Sequence, residues 1–247
     1  MSTALVTGAS AGIGAEFCRQ LADRCDRIIA TGRREERLQS LASELSSRCE
    51  VVPLVADLAT VEGQVRVVEA IRQKGPVDYL INNAGFCTMG SFDSLELDEH
   101  LAMVRVHIDA TLALTRAAVP FMKERGGGAI VNVSSLAAFQ AHALAPIYSA
   151  SKVFLNNFSE SLYADVGKDG IRVQALCPGF TDTEFHDRDS MADFDRGWVP
   201  AEDWMSVTDV VAASLAALAE DRVLVVPGAD NLAAAKKGAT DTLEALD

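Results

Sequence analysis

Two side chains four residues apart carry the first chemical signal in this chain of 247 residues. Tyr148-Ser149-Ala150-Ser151-Lys152 sets a phenol and an ammonium on one face of any helix that forms there. A free phenol titrates near ~10, too high for efficient proton transfer at neutral pH, and a neighbouring cation lowers that value. Such a pair also occurs on ordinary exposed helices. What sets this one apart is Ser134-Ser135, which closes an apolar run thirteen residues before Tyr148.

A second signal lies near the start. Thr7-Gly8-Ala9-Ser10-Ala11-Gly12-Ile13-Gly14 joins a short apolar run to a helical pattern. Glycines there allow a tight turn and close approach of backbone to a pyrophosphate, which the helix N-terminus then favours. Glycine-rich turns also serve purely structural ends, but this one follows the first strand, where a dinucleotide loop belongs. The next strand closes on Gly32, where an NAD site carries an acid, and continues with Arg33 and Arg34. Both arginines can be solvated charges. They oppose the dipole of the helix they open, so a bound anion is the better explanation, and a 2′-phosphate fits paired guanidinium hydrogen bonds. NADP(H) is therefore the expected cofactor.

In this company the chain resembles the short-chain dehydrogenase/reductase family over about residues 3–185. The likeness rests on Thr7–Gly14, Asn82-Asn83-Ala84-Gly85, Ser135, Tyr148 with Lys152, and Pro178-Gly179, all in order. It implies that Tyr148 passes a proton to the substrate oxygen and that Lys152 holds the nicotinamide ribose and supports the phenolate. Ser135 would fix the substrate oxygen. It further implies cofactor contacts from Gly8, Ser10, Gly12, Ile13, Gly14, Asp57, Leu58, Asn83, Ala84 and Gly85. Pro178, Gly179, Thr181 and Thr183 would line the nicotinamide side, with Thr183 at the carboxamide. Asp, Asn and Thr are also ordinary turn and cap residues.

Two departures stand out. The family has asparagine in its fourth helix where this chain has His107. A neutral imidazole can support the same water or shuttle a proton, which makes His107 a candidate catalytic residue, or it can be a core histidine satisfied by backbone. The end of the chain, Val225-Val226-Pro227-Gly228-Ala229, lacks the usual Asp-Gly-Gly, which weakens inherited expectations about pocket and interface.

Positioning these groups requires an alternation of strands and helices. Apolar runs at 4–7, 27–31, 51–55, 79–81, 129–133, 172–176 and 223–226 read as strands. Helical patterns cover 15–24, 34–45, 62–73 and 97–123, with Pro120 kinking or restarting the last and Gly126 to Gly128 ending it. Seven buried strands with helices between them predict one doubly wound, Rossmann-like α/β domain spanning 1–247, with a parallel sheet. Residues 232–247 form a surface helix or a frayed tail. Phe86, Met89, Leu136, Phe139 and Leu144 are candidate pocket residues. Residues 185–204, with Phe185, Phe194, Trp198 and Trp204, read as a mobile lid over an apolar substrate.

Composition agrees with an enzyme of small molecules. About half the residues are apolar and the net charge is −13, which disfavours nucleic acid and anionic membrane as partners. Apolar runs fall well short of the ~20 residues of a membrane helix, and the first strand begins near Met1, so the chain reads as cytoplasmic. Cys18, Cys25, Cys49, Cys87 and Cys177 form no CxxC pair and read as reduced, buried thiols. The four histidines lack ligand spacing, so no metal is expected. The expected activity is hydride transfer between nicotinamide and a small to medium ketone, aldehyde or secondary alcohol, by a homodimer or homotetramer. A non-catalytic NADP(H) sensor on the same fold is the alternative, disfavoured by the intact Ser135, Tyr148 and Lys152.

Overall fold

Most strands of this chain have apolar centres, and helices cover both faces of the sheet they form. The computed structural model describes residues 1–73, 77–187 and 189–246. Its elements run β1 (Thr3–Thr7), α1 (Gly12–Leu21), β2 (Arg27–Gly32), α2 (Glu35–Leu45), β3 (Glu50–Val55), α3 (Val61–Gln73) and β4 (Tyr79–Asn82). They continue α4 (Leu97–Val104), α5 (Ala110–Arg125), β5 (Gly128–Val133), α6 (Pro146–Val166), β6 (Ile171–Leu176), α7 (Val207–Ala219), β7 (Leu224–Val225) and α8 (Ala229–Glu244). The seven strands form one sheet in the order β3-β2-β1-β4-β5-β6-β7, parallel throughout. This is the expected doubly wound, Rossmann-like arrangement.

Alternation along each strand divides the core. Ala4, Val6, Ile28, Ala30, Val131 and Val133 pack with Phe17 of α1, Leu38 and Leu41 of α2, and Val210 and Leu215 of α7. The intervening Leu5, Ile29, Leu80 and Ile130 pack with Val67 and Ile71 of α3 and Leu114 and Met122 of α5. Full burial of each such Leu or Ile contributes roughly 1.5–3 kcal/mol. After β3 the chain crosses back to place β4 beside β1, with Thr7 in register with Thr31 and Val6 with Ile81. That reversal opens a crevice above the carboxyl ends of β1 and β4.

Two expectations need correction. The pattern at 97–123 is not one helix broken at Pro120. It is α4, a wide π turn over Arg105–Asp109, and α5. Pro120 lies on the exposed side of α5, where a carbonyl that loses its partner faces water, and the helix runs through it. Gly126, at φ 72°, ends α5, its N–H bonded to the Lys123 carbonyl at 3.0 Å. The first helix begins at Gly12, inside the glycine loop, and not at residue 15. Of the two readings of the chain's end, the surface helix holds: residues 232–244 belong to α8, which docks through buried Ala235 and Gly238 against the turn at Leu136–Phe139, and a side chain on Gly238 would strike the Phe139 carbonyl. Asp247 lies outside the described residues.

All five cysteines are buried free thiols. Among the described residues, no helix is long and apolar enough to cross a membrane, and no group of three or more His, Cys, Asp or Glu side chains is placed to hold a metal ion.

Candidate active site

The crevice widens into a cavity of about 970 Å³. Its floor is the glycine loop. Gly8 has φ +65°, and a Cβ there would lie 2.8 Å from Asn83 Nδ2, so only glycine fits both the turn and its neighbour. Gly14 is also forced by close packing, since a Cβ would collide with Asn83 and the Gly8 carbonyl. It supports the loop from behind and does not line the cavity. Thr7 Oγ1 accepts the N–H groups of Asn83 and Ala84, both at 2.9 Å, and Asn83 Nδ2 donates to the Thr7 carbonyl at 2.8 Å. The β4 turn is thereby tied to the β1 loop. Asn83 faces protein backbone as well as the cavity.

The loop leads into α1, whose cap residue Ala11 offers no side-chain acceptor and whose first turn carries no acid. Ser10, Ala11, Gly12 and Ile13 line the cavity at that point. A helix start of this kind suits the phosphates of a dinucleotide. Ala56, Asp57 and Leu58 after β3, then Asn83, Ala84 and Gly85 after β4, continue the wall. Asp57 Oδ1 accepts the Ala59 N–H at 3.0 Å. Pro178, Gly179, Thr181 and Thr183 close the far side, where Thr183 Oγ1 accepts the Phe185 N–H at 3.2 Å.

Arg33 and Arg34 stand exposed at the outer corner. Arg34 donates to Ser10 Oγ at 3.1 and 3.3 Å and pairs with Glu184, which also holds Arg37 at 3.0 Å. Arg33 has no ion pair among the described residues. The roles of Glu184 and Arg37 were not legible beforehand, because the partners lie some 150 residues apart in the chain.

At the inner end, Ser135 follows β5 and opens the turn at Leu136–Phe139, its Oγ accepting the Ala137 N–H at 3.1 Å. Tyr148 and Lys152 project from α6 into the same cavity. Lys152 is almost fully buried, donates to the Val133 carbonyl at 2.8 Å, and lies 5.4 Å from the Tyr148 ring centre. Ser134 Oγ donates to the Lys152 carbonyl at 3.0 Å and pins α6 to the end of β5. Burial lowers the Lys152 ammonium from 10.5 to about 8, opposed by the Cys177 and Cys87 thiols. Apolar surroundings push the Tyr148 phenol well above 10.0; a bond with Ser135 draws it back, and Cys87 adds to the rise. The sequence suggested that Lys152 and the oxidised nicotinamide ring together would lower the phenol; in the protein alone burial is the largest influence and raises it.

His107 lies in the π turn, buried behind Gly85 and outside the cavity wall. Its Nε2 accepts the Phe86 N–H at 3.2 Å, so that nitrogen carries no proton. Its Nδ1–H therefore faces Ser151 Oγ at 2.8 Å, and Ser151 donates onward to the Tyr148 carbonyl at 2.7 Å. Burial, then the charge on Lys152, hold the ring well below 6.5 and neutral. Both nitrogens are committed to the frame that carries Tyr148.

Phe86, Met89, Leu136 and Leu144 line the cavity, as do Phe185, Phe194 and Trp198. Phe139 and Trp204 do not. Phe139 is taken up under α8, and Trp204 packs behind the wall against Phe180 and His186 with the Arg196 guanidinium 4.0 Å above it. Arg196 also pairs with Asp182 at 2.7 Å and Asp187 at 3.3 Å, holding the segment after Thr183 against the body. Phe180 is a wall residue that the sequence did not single out, whereas His186 and Met191 fall within the 185–204 segment that it offered. Burial, then the Arg196 charge, lower His186 to about 4, so it is a neutral group in this wall. Arg188 lies outside the described residues.

The family model for short chain dehydrogenases matches residues 2–192. An uncharacterised oxidoreductase of Staphylococcus saprophyticus is 32% identical over 183 residues, covering 73% of this chain and 78% of that protein. A short-chain dehydrogenase from Sphingobium yanoikuyae, solved in complex with NADPH, superposes with a TM-score of 0.86 at 30% identity, over 98% of this chain and 96% of that one. A bulky-bulky ketone specific alcohol dehydrogenase from Comamonas testosteroni superposes with a TM-score of 0.82 at 26% identity, over 99% and 94%.

Proposed function

This chain belongs to the short-chain dehydrogenase family of oxidoreductases, and from that premise we propose that it moves a hydride between NADP(H) and a bulky, largely apolar ketone or secondary alcohol. The carrying observation is that Ser135, Tyr148 and Lys152 share one cavity with the glycine loop, the Arg33–Arg34 corner and an aromatic wall.

The residues fit the cofactor. The glycine loop and the start of α1 would hold its phosphates, Arg33, Arg34 and Ser10 the 2′-phosphate, and Asp57 and Leu58 the adenine. Asn83, Ala84 and Gly85 would follow the ribose side, Lys152 would take the ribose hydroxyls, and Pro178, Gly179, Thr181 and Thr183 would face the nicotinamide. The bound dinucleotide supplies or accepts the hydride, and its oxidised ring brings positive charge to this end of the cavity.

In the reductive direction Ser135 Oγ and the Tyr148 phenol grip the substrate oxygen. Tyr148 gives up its proton as charge develops on that oxygen, and Lys152 stabilises the phenolate that remains. The raised phenol needs that help, because burial alone favours its neutral form. His107 is a positioning residue, since it bonds to Ser151 and Phe86 and touches no reacting atom. Phe86, Met89, Leu144, Phe185, Met191 and Phe194 would receive the apolar body of the substrate. The Comamonas relative, specific for bulky ketones, supports that choice.

The test is a panel of ketones, aldehydes and secondary alcohols assayed with NADPH and NADH at the nicotinamide absorbance band. Tyr148→Phe should lose at least ~100-fold in turnover while binding NADPH normally. Cofactor binding without turnover across the panel would favour the sensor. A Tyr148→Phe variant that keeps most of its turnover would overturn the assigned role.

A further inference from the structure

We propose that Glu184 competes with the 2′-phosphate for Arg34, and so sets how strongly this chain discriminates between NADPH and NADH. The inference rests on the NADP(H) reading of the Arg33–Arg34 corner. Glu184 follows Thr183 on the loop after β6, and its carboxylate reaches the start of α2, where it pairs with Arg34 and, at 3.0 Å, with Arg37. Arg34 Nη2 and Nε turn at the same time to Ser10 Oγ, at 3.1 and 3.3 Å. Ser10 Oγ is 3.4 Å from where a side chain on Gly32 would begin. Ser10, Gly32 and Arg34 therefore form one corner, the place where an acid would receive the ribose hydroxyls of NADH. The guanidinium best placed for a phosphate is already engaged by an anion of the protein.

Charge decides the consequence. A phosphate monoester brings about −1.5 to −2 charges to that corner at neutral pH. It must either displace Glu184 from Arg34, leaving the carboxylate on Arg37, or bind beside it and bear the repulsion. Both routes weaken NADPH. NADH carries a neutral hydroxyl there and is spared. Glu184 and Arg34 are each about a third exposed, with side-chain exposures of 31% and 41%, so water screens the effect. Arg33, which has no ion pair among the described residues, supplies the phosphate selection that Glu184 subtracts from.

The experiment is calorimetric titration of the unliganded protein with NADPH, NADH and 2′,5′-ADP, in the original chain, Glu184→Gln, and Glu184→Gln with Arg34→Gln. Glutamine keeps the size and hydrogen-bonding capacity of the side chain and removes its charge. Glu184→Gln should bind NADPH and 2′,5′-ADP about three- to tenfold more tightly, with NADH changed less than about twofold. Adding Arg34→Gln should cancel that gain. The NADPH-to-NADH ratio of the original chain reports on the cofactor reading, whereas the change in that ratio reports on Glu184. Equal affinities in the original chain followed by an NADPH preference in Glu184→Gln would support the competition. An unchanged ratio, weaker NADPH binding, or a gain that survives Arg34→Gln would overturn it.

Discussion

Replacing Lys152 by methionine should make folding stability respond differently to pH, by an amount that burial of the ammonium dictates. Lys152 titrates at about 8 in the folded protein against an ordinary value of 10.5. Each unit of pKa difference is worth about 1.4 kcal/mol. The folded state therefore bears a penalty of about 3.5 kcal/mol wherever the lysine is charged in both states, which is below pH 8. Between pH 8 and 10.5 the unfolded chain holds more protons than the folded one, so the penalty fades as pH rises. The original chain should gain on Lys152→Met across that window, and about 2.5 kcal/mol of the difference should have appeared by pH 10. Methionine also leaves the Val133 carbonyl without its donor, a cost of about 1–3 kcal/mol. That cost does not depend on pH and drops out when the two stability curves are subtracted. His107, which also feels the Lys152 charge, titrates below 6.5 and stays outside the window. Urea unfolding of both unliganded proteins at pH 7, 8, 9 and 10, followed by circular dichroism, supplies the curves. Parallel curves, differing by a constant within about 0.5 kcal/mol, would refute a buried charge at this position.

Arg33→Asp should reduce or reverse any preference for NADPH over NADH, and equal dissociation constants for both cofactors in the original chain and in Glu184→Gln alike would end the argument for a 2′-phosphate site. His107→Leu should cost stability by leaving the Phe86 N–H without its acceptor and Ser151 Oγ without the imidazole donor, and should lose more turnover per folded molecule than His107→Asn. Full turnover per folded molecule in the leucine variant would leave His107 a core residue only. Leu97, Leu101 and Leu112 on α4 and α5 and Val153 on α6 are exposed. We expect them to be covered in a homodimer or homotetramer; a strictly monomeric mass by light scattering at micromolar concentration would rule that out.

The parts of this molecule that were legible are those whose evidence is local. Strands such as Thr3–Thr7 and Arg27–Gly32 have unbroken apolar centres, Ala4 to Val6 and Ile28 to Ala30, because both faces are covered, so composition locates them. Tyr148 and Lys152 meet because four residues on a helix bring side chains to one face, and Ser135 joins them because it follows the strand next to α6. The errors arose where a local rule depends on surroundings. Pro120 reads as a break, yet it faces water and costs α5 little. The π turn at Arg105–Asp109 adds one residue to a helical turn, and nothing in the composition of Val106-His107-Ile108-Asp109 announces it. Gly238 weakens an alanine-rich helix on paper, while in the fold it is what lets α8 touch Phe139.

The distribution of these errors follows the division of labour within the site. The residues proposed to transfer the proton follow β5 and lie on α6, elements that pack together and are close in the chain, so they are tied together by spacing. The residues proposed to select cofactor and substrate meet through contacts that span the chain. Arg34 answers to Glu184 across 150 positions, and the substrate wall is built from a segment of short turns held down by Arg196 on Asp182, Asp187 and Trp204. Such a segment has little periodicity of its own, and its conformation is imposed by ion pairs and aromatic packing with residues it meets only after folding. Substitutions at Phe180, His186 or Phe194 therefore reshape the wall without disturbing the sheet, the glycine loop or the Tyr148–Lys152 pair. One reaction can in this way be kept fixed while its substrate is changed, and the reaction class is read from short-range spacing where the substrate is not.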